Sequence, residues 1–182
     1  RSAKQQITYI AKDGYQTYKP HFTFMGGRYV RLDEYPYEID PANFRFIVIH
    51  SDMKRTGHFE CSSPLLNTLF DNIIRGQRGN YVDVPTDCPQ RDERLGWTAD
   101  TQVFAETGTF FANTLQFFHK WMRDMRDSQN ELGGFPGVAP YAQYGNEKMR
   151  LGWADAGIIV PWTVWKQFGN TDIINDSWEA MN

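Results

Sequence analysis

The sequence contains few features that mark membrane proteins, secreted precursors or nucleic-acid-binding proteins. No apolar run approaches the roughly 20 residues of a membrane span. The opening residues contain no charged region followed by an apolar one, so no signal peptide is predicted. A net charge of −3 provides no basic surface, so neither nucleic acid nor a membrane is an expected partner. The sequence does not indicate the cell compartment.

Cysteine and histidine are also scarce. Cys61 and Cys88 permit at most one disulfide, and their spacing matches no zinc motif. No histidine lies near Cys88 in sequence, which argues against a Cys/His nucleophile pair; the four are His21, His50, His58 and His119. We therefore expect Cys88 to be a small buried filler and His119 to be a core residue of an aromatic helix. No metal and no other cofactor is predicted.

Aromatic residues, by contrast, are abundant. They make up 15% of the 182 residues, and the whole chain is 41% hydrophobic, which is enough to build a globular core. Large flat side chains serve first in core packing. They also stack on the apolar face of a sugar ring, because they bury much area and lose little entropy. Composition alone favours the core interpretation and leaves the sugar-binding one open.

The first 60 residues are predicted to form strands. Residues 7–10 are rich in β-forming side chains, and residues 28–32 alternate polar and apolar ones. Residues 44–49 alternate and then become continuously apolar, as in a buried strand. We interpret residues 1–60 as the C-terminal part of an antiparallel β-sandwich domain.

Helices are predicted beyond this region. Ser63 followed by Pro64 is a typical helix start, and apolar residues then recur at helical spacing until Gly76 and Gly79, which are expected to end the helix. Four more helices are predicted, at residues 101–107, 113–127, 155–168 and from 172 onward. Successive helices of this kind suit an α/α toroid. The chain has no Met start and stops inside a helix, so we expect a fragment.

Two long loops, residues 80–95 and 129–152, separate these helices, and long loops inside a compact domain are often functional. Residues 83–100, which extend from the first loop to the start of the next predicted helix, contain five acids and two arginines beside Gly96 and Trp97. Glycoside cleavage needs one carboxylic acid to protonate the leaving oxygen and a second carboxylate to activate water or attack the sugar. The acid is kept protonated by burial or by nearby negative charge. Arg91 and Arg94 would oppose this if they point at Glu93, and the sequence leaves their direction open.

The unbroken run from Asp87 to Asp100, with Asp92, Glu93, Gly96 and Trp97 inside it, resembles the signature of bacterial α-L-rhamnosidases (glycoside hydrolase family 78). Two later stretches, residues 133–140 and 151–162, are similar to the same family. The resemblance implies a β-sandwich domain followed by an (α/α)6 barrel. The expected fold class is therefore an α+β chain fragment, with the sandwich part at residues 1–60 and the truncated first half of the catalytic domain at residues 61–182.

The resemblance also implies roles for individual residues and an enzyme that cleaves terminal α-L-rhamnose from glycosides or polysaccharides. Glu93 matches the general acid. The expected substrate-binding residues are carboxylates that bond the sugar hydroxyls, aromatic walls around the ring and its methyl group, and neighbouring charged residues: Asp87, Asp100, Trp97, Trp153, Arg91 and Asp92. The family's inverting mechanism implies two carboxyls about 6.5–9.5 Å apart, with water between them.

No acid in the helical half fits the family's general base, so that base is expected beyond residue 182 and the fragment alone is expected to be inactive. The remaining candidates were Glu106, Glu131, Glu147 and Glu179. Two alternatives remain. The chain would be a non-catalytic glycan-binding module if it keeps an aromatic pocket without an acid/base pair. Glu93 would instead be a structural ion-pair partner of Arg91 or Arg94. Self-association into a homo-oligomer is also left open.

Overall fold

A computed structural model describes residues 4–91, 93–143 and 150–182 of the chain. Within these ranges, five α-helices and one hairpin of two-residue strands follow a 3-10 turn at Pro41–Asn43. The elements are α1 (Pro64–Asn80), β1 (Tyr81–Val82), β2 (Val84–Pro85), α2 (Thr98–Phe111), α3 (Leu115–Asp127), α4 (Ala156–Phe168) and α5 (Asp172–Met181). None of the helices in these ranges combines the length and apolar character that crossing a membrane requires.

The main core lies where α3 meets α4 and α5, and α2 also packs against α4. In α3, Phe118, Trp121, Met122 and Met125 recur every three or four residues, so all four fall on one face and are fully buried. They pack in one cluster with Val160 and Val164 of α4 and Ile173 of α5. The sequence prediction that this aromatic and methionine stripe is core is therefore confirmed.

The predicted helices at residues 113–127, 155–168 and from 172 agree with α3, α4 and α5 to within two residues. Gly169 ends α4 in a left-handed conformation at φ 68°, and its N–H donates to the carbonyl of Trp165. The helix predicted at residues 101–107 is longer in the structure and begins at Thr98. The Thr98 hydroxyl donates to the carbonyls of Pro136 and Gly137, so tertiary contacts support this early start.

The predicted end of α1 was wrong, because the helix continues through Gly76 and Gly79 to Asn80. A glycine inside a helix costs only about 1 kcal/mol relative to alanine. The tertiary contacts of this turn offset that cost: the buried amide of Gln77 donates to the carbonyl of Gly108, 3.0 Å away.

The strands predicted at residues 7–10, 28–32 and 44–49 are not formed, and the described residues before α1 contain no strand. Many of their side chains are exposed, including Ile10 at 89% and Val48 at 81%. A strand is stable only where another strand completes its hydrogen bonds and covers one face. Within the described residues no such partner is present for these segments, so the β-sandwich remains a prediction.

Candidate active site

The acidic loop, which we define as residues 86–97 between β2 and α2, is closed on itself by backbone hydrogen bonds. The N–H of Asp87 donates to the carbonyl of Leu95 at 3.2 Å, and the N–H of Trp97 donates to the same carbonyl at 2.9 Å. At its start, the N–H of Thr86 donates to the carbonyl of Asn80 at the end of α1. The loop therefore holds its acidic side chains between two helix ends.

A second segment, residues 134–140, fastens the far end of the acidic loop. The N–H of Ala139 donates to the carbonyl of Gly96 at 2.9 Å, and the N–H of Thr98 donates to the carbonyl of Gly137 at 3.0 Å. The buried indole of Trp121 in α3 donates to the carbonyl of Ala139 at 3.1 Å. Gly96 permits this close approach, because a Cβ there would lie 2.0 Å from the carbonyl oxygen of Ala139.

The central feature of the site is a pair of half-buried carboxylates that share one guanidinium. Glu93 Oε1 accepts a hydrogen bond from Trp97 Nε1 at 3.0 Å. Its Oε2 accepts from Arg91 Nε at 3.1 Å, and an Arg91 terminal nitrogen lies 3.0 Å from the same oxygen. That nitrogen is also 3.4 Å from Asp87 Oδ2. The Asp87 side chain is 9% exposed and the Glu93 side chain 18%, so both carboxylates are largely withdrawn from bulk water.

The direction of the two arginines, which the sequence left open, differs between them. Arg91 points into the pair of carboxylates, as the ion-pair alternative requires. Arg94 points away, and its guanidinium donates to the carbonyl of Phe24 at 2.7 Å. One cation therefore faces two acids, and the other fastens the acidic loop to a distant segment.

Cys88 is buried, as expected, but it is more than a filler. Its thiol donates to Asp87 Oδ2 at 2.8 Å and lies 4.0 Å from Glu93 Oε2. Burial, and then the hydrogen bond to Asp87, raises the pKa of the Cys88 thiol. One ligand atom from each of Asp87, Cys88 and Glu93 lies within 4.8 Å of the others, close enough to hold a metal ion. Arg91 already supplies positive charge to the same two carboxylates, which is what a bound metal ion would do there. The expectation that no metal binds stays a prediction.

Asp100 lies in the first turn of α2, three residues after Trp97. Asp100 is an exposed residue. Partial desolvation of its carboxyl, and then the negative charges of Asp87 and Glu93, raise its pKa, although a hydrogen bond from its own backbone N–H acts in the opposite direction. Its titration is therefore coupled to the two carboxylates of the acidic loop. The role of Asp100 beside Asp87 and Glu93 stays a prediction.

The remaining expected site residues are less closely tied to this group. Trp97 is half-buried and its indole holds Glu93. Trp153 lies in the turn before α4, half-buried, and its Nε1 is buried without a hydrogen-bond partner among the described residues. One oxygen of Asp87, Oδ1, is buried without a partner in the same way. Asp92 and Glu147 lie outside the described residues.

A cleft of about 420 Å³ lies elsewhere, between the segment at residues 51–54 and α3. Its lining residues include none of Asp87, Glu93 and Trp97. One of its charged groups, Lys120, pairs with neighbouring acids: its Nζ lies 3.0 Å from Asp83 Oδ2 and 2.8 Å from Asp124 Oδ2. The carboxylate group is therefore the better candidate for chemistry, because it combines burial with acids that one cation only partly balances.

Comparison with known sequences gives matches over nearly the whole chain. The profile of the bacterial alpha-L-rhamnosidase six-hairpin glycosidase domain matches residues 54–182, and that of the bacterial alpha-L-rhamnosidase concanavalin-like domain matches residues 1–50. An alpha-L-rhamnosidase of Streptomyces avermitilis is 42% identical over the whole chain, which covers 18% of that relative. One from Formosa agariphila is 41% identical over the whole chain and 20% of its own length.

Solved structures give the same result. The Streptomyces avermitilis alpha-L-rhamnosidase complexed with L-rhamnose has a TM-score of 0.69 at 43% identity, over 72% of this chain and 13% of that one. The alpha-L-rhamnosidase from Aspergillus terreus has a TM-score of 0.68 at 41% identity, over 72% of this chain and 15% of that one. The chain thus spans about a fifth of the length of the curated relatives that it matches.

Proposed function

Because the chain belongs to the bacterial α-L-rhamnosidase six-hairpin glycosidase family, we propose that the whole protein is a glycoside hydrolase. It removes terminal α-L-rhamnose from glycosides or polysaccharides. In this proposal residues 1–60 are the C-terminal part of a β-sandwich, and residues 61–182 are the first half of an (α/α)6 catalytic domain. The profile match of residues 1–50 to a concanavalin-like domain supports the first assignment.

The placement of Glu93 is the observation that carries the proposal. Its carboxyl group is held on one oxygen by Trp97 and on the other by Arg91, beside the half-buried Asp87. A general acid must be fixed in this way, because proton transfer requires the donor to lie within hydrogen-bond reach of the leaving oxygen. Arg91 opposes protonation of Glu93, whereas the charges of Asp87 and Asp100 favour it. The proposed mechanism requires the charges of Asp87 and Asp100 to keep Glu93 protonated when the substrate arrives.

In the proposed mechanism Glu93 donates its proton to the glycosidic oxygen as the bond to C1 of rhamnose breaks. A water molecule attacks C1 from the opposite face and gives its proton to a general base, so the product has inverted configuration. We place that base outside residues 1–182. Of the acids considered in the helical half, Glu106, Glu131 and Glu179 are exposed on the surface.

The sugar-binding roles follow from the chemistry of the neighbouring groups. Buried polar atoms without partners are costly, and sugar hydroxyls can bond to them. Asp87 Oδ1 and Trp153 Nε1 are two such atoms in the described residues. We assign Asp87 and Asp100 to the sugar hydroxyls and the rings of Trp97 and Trp153 to the apolar walls. Arg91 orients the carboxylates. Asp92 is proposed as a substrate-binding residue from the sequence alone.

Rhamnose release from an aryl α-L-rhamnoside tests this function. Residues 1–182 are compared with a chain extended through the rest of the barrel. We expect turnover in the extended protein only, with the β-anomer of rhamnose as the first product by NMR. Rhamnose binding without hydrolysis in both proteins would instead support a glycan-binding module, and a first product of retained configuration would overturn inversion.

The raised pKa of Asp100 predicts a pH-dependent Michaelis constant. Sugar hydroxyls donate to the ionised carboxylate, so binding weakens as the pH falls through the pKa of Asp100. Because that pKa is raised, we expect KM in the extended protein to rise at a higher pH than an ordinary aspartate would give. Asp100→Asn should increase KM about tenfold, as loss of a hydrogen bond to a charged group does, and should flatten its pH dependence.

The matched control for this experiment is Asp71→Asn on the exposed side of α1. It removes the same charge far from the acidic loop in sequence, and KM should keep its pH dependence. An unchanged KM–pH profile in the Asp100→Asn protein would exclude Asp100 from sugar binding.

A further inference from the structure

Arg94, which directly follows the proposed acid, is fixed by a residue 70 positions earlier in the chain. Its NH1 donates to the carbonyl of Phe24 at 2.7 Å, and its guanidinium carbon lies 4.6 Å from the centre of the Phe24 ring. Both side chains are half-buried. A guanidinium that combines a hydrogen bond with a cation–π contact is held in direction as well as position.

Two further contacts connect the N-terminal segment, which we define as residues 5–26, to the part of the acidic loop before Glu93. Gly26 packs directly on its backbone, since a Cβ there would lie 2.7 Å from the carbonyl oxygen of Pro89 and 2.8 Å from Cα of Gln90. The side-chain amide of Gln5 donates to the carbonyl of Gln90 at 3.2 Å. The segment therefore touches the acidic loop both before and after Glu93.

The backbone at Arg94 explains why such support is needed. Arg94 has φ 41°, in the left-handed region that residues with side chains rarely adopt. This conformation lies at the point where the chain turns back, so that the carbonyl of Leu95 can accept from Asp87 and Trp97. Unfavourable backbone conformations persist where surrounding contacts enforce them. Among the described residues, the contact with Phe24 is the side-chain interaction that can hold Arg94 in this conformation.

We propose that Arg94 and Phe24 form a clamp by which the N-terminal segment sets the position of Glu93 in the acidic loop. Arg94 is a positioning residue: it acts on the reaction through Glu93 and binds no substrate. The inference rests on the proposed role of Glu93 as general acid. It adds that residues in the part matched to the concanavalin-like domain control the acid in the neighbouring domain.

The clamp is tested in the extended protein with two aryl α-L-rhamnosides. The dinitrophenyl compound has a leaving group that departs without protonation, whereas the phenyl compound requires a proton from the acid. We expect Arg94→Gln to lower kcat for the phenyl compound by about 100-fold, since a misplacement of about 1 Å has effects of that size. The loss for the dinitrophenyl compound should stay below about threefold, because the acid contributes little to its departure.

Phe24 variants distinguish an effect on the position of Glu93 from a general loss of structure. Phe24→Ala should reproduce the leaving-group dependence, Phe24→Tyr should restore normal rates because it keeps the ring, and the double variant should be no worse than Arg94→Gln. Phe22→Ala removes an exposed ring from the same segment and should leave both rates unchanged. Equal losses for both compounds in the Arg94 variant would overturn the clamp and indicate a general structural role.

The same two compounds keep the two proposals distinguishable. If Glu93→Gln shows the leaving-group dependence and Arg94→Gln does not, the clamp is wrong and the acid stands. If Glu93→Gln itself shows no such dependence, the proposed acid is wrong, whatever the Arg94 variant does. Thermal unfolding of each variant identifies any protein that has not folded. If the Arg94→Gln protein does not fold, the rates of Phe24→Ala with the two compounds decide the question.

Discussion

Replacing Glu93 by glutamine in the extended protein is expected to lower kcat/KM for phenyl α-L-rhamnoside by about 10²–10⁴-fold, the usual contribution of a positioned general acid. Glutamine keeps an oxygen that can accept from Trp97 Nε1, as Oε1 does in the native protein. It carries no acidic proton, and it also loses the ion pair with Arg91, so the unfolding temperature is measured beside the rates. Initial rates over a range of substrate concentrations measure the effect.

The matched control is Glu131→Gln, on the exposed loop after α3. It makes the same chemical change without altering the acidic loop, and its rates should be those of the native protein. If Glu93 were a structural ion-pair partner of Arg91, Glu93→Gln would lower the unfolding temperature and leave the rate of the folded fraction intact. That result would remove Glu93 from the mechanism.

Replacing Gly96 by alanine is expected to have the largest effect of any small substitution in the acidic loop. The added Cβ would lie 2.0 Å from the carbonyl oxygen of Ala139, which is backbone and cannot rotate away. The two segments must separate, and the hydrogen bond from Ala139 N–H to the carbonyl of Gly96 is then lost. We expect a loss of about 3 kcal/mol in the free energy of unfolding, at the upper end for an overpacked site.

Denaturant unfolding of the extended protein measures this loss, and Gly76→Ala is the matched control. A Cβ at Gly76 meets no atom within 4 Å, and the residue lies inside α1. Alanine there should stabilise the protein by about 0.5–1 kcal/mol, because it favours the helix. Equal stability of the two variants would show that the segment at residues 134–140 does not constrain the acidic loop.

The helices were predicted well where their apolar spacing was regular. The stripe in α3 fixes both its period and its buried face, and Gly169 marks the end of α4. The end of α1 was missed because a helix can continue through glycine when tertiary contacts such as that of Gln77 support it. The expected strands failed for a related reason: a strand depends on partners that its own sequence does not describe.

The candidate site, like the fold, was predicted only in part from the sequence. The resemblance to the α-L-rhamnosidases, now confirmed at the level of the family, identified the acidic loop and its expected residues from one continuous run. The direction of Arg91 and Arg94 could not be predicted, because both arginines fit either role locally. The partner of Arg94 is Phe24, 70 residues away, and neither residue has a sequence pattern that points to the other.

The charges around this site also bear on which sugars it can reject. Among the described residues, Asp87 and Glu93 face the guanidinium of Arg91. The negative charges of these two carboxylates also act on Asp100, and Arg94 is engaged elsewhere, so acids outnumber the cation. A uronic acid carries a carboxylate at the ring position where a 6-deoxy sugar has a methyl group. Like charges brought together in a desolvated site cost several kcal/mol. A pocket built from these acids would therefore exclude oxidised sugars by electrostatic repulsion and admit neutral ones, independently of the fit of the methyl group.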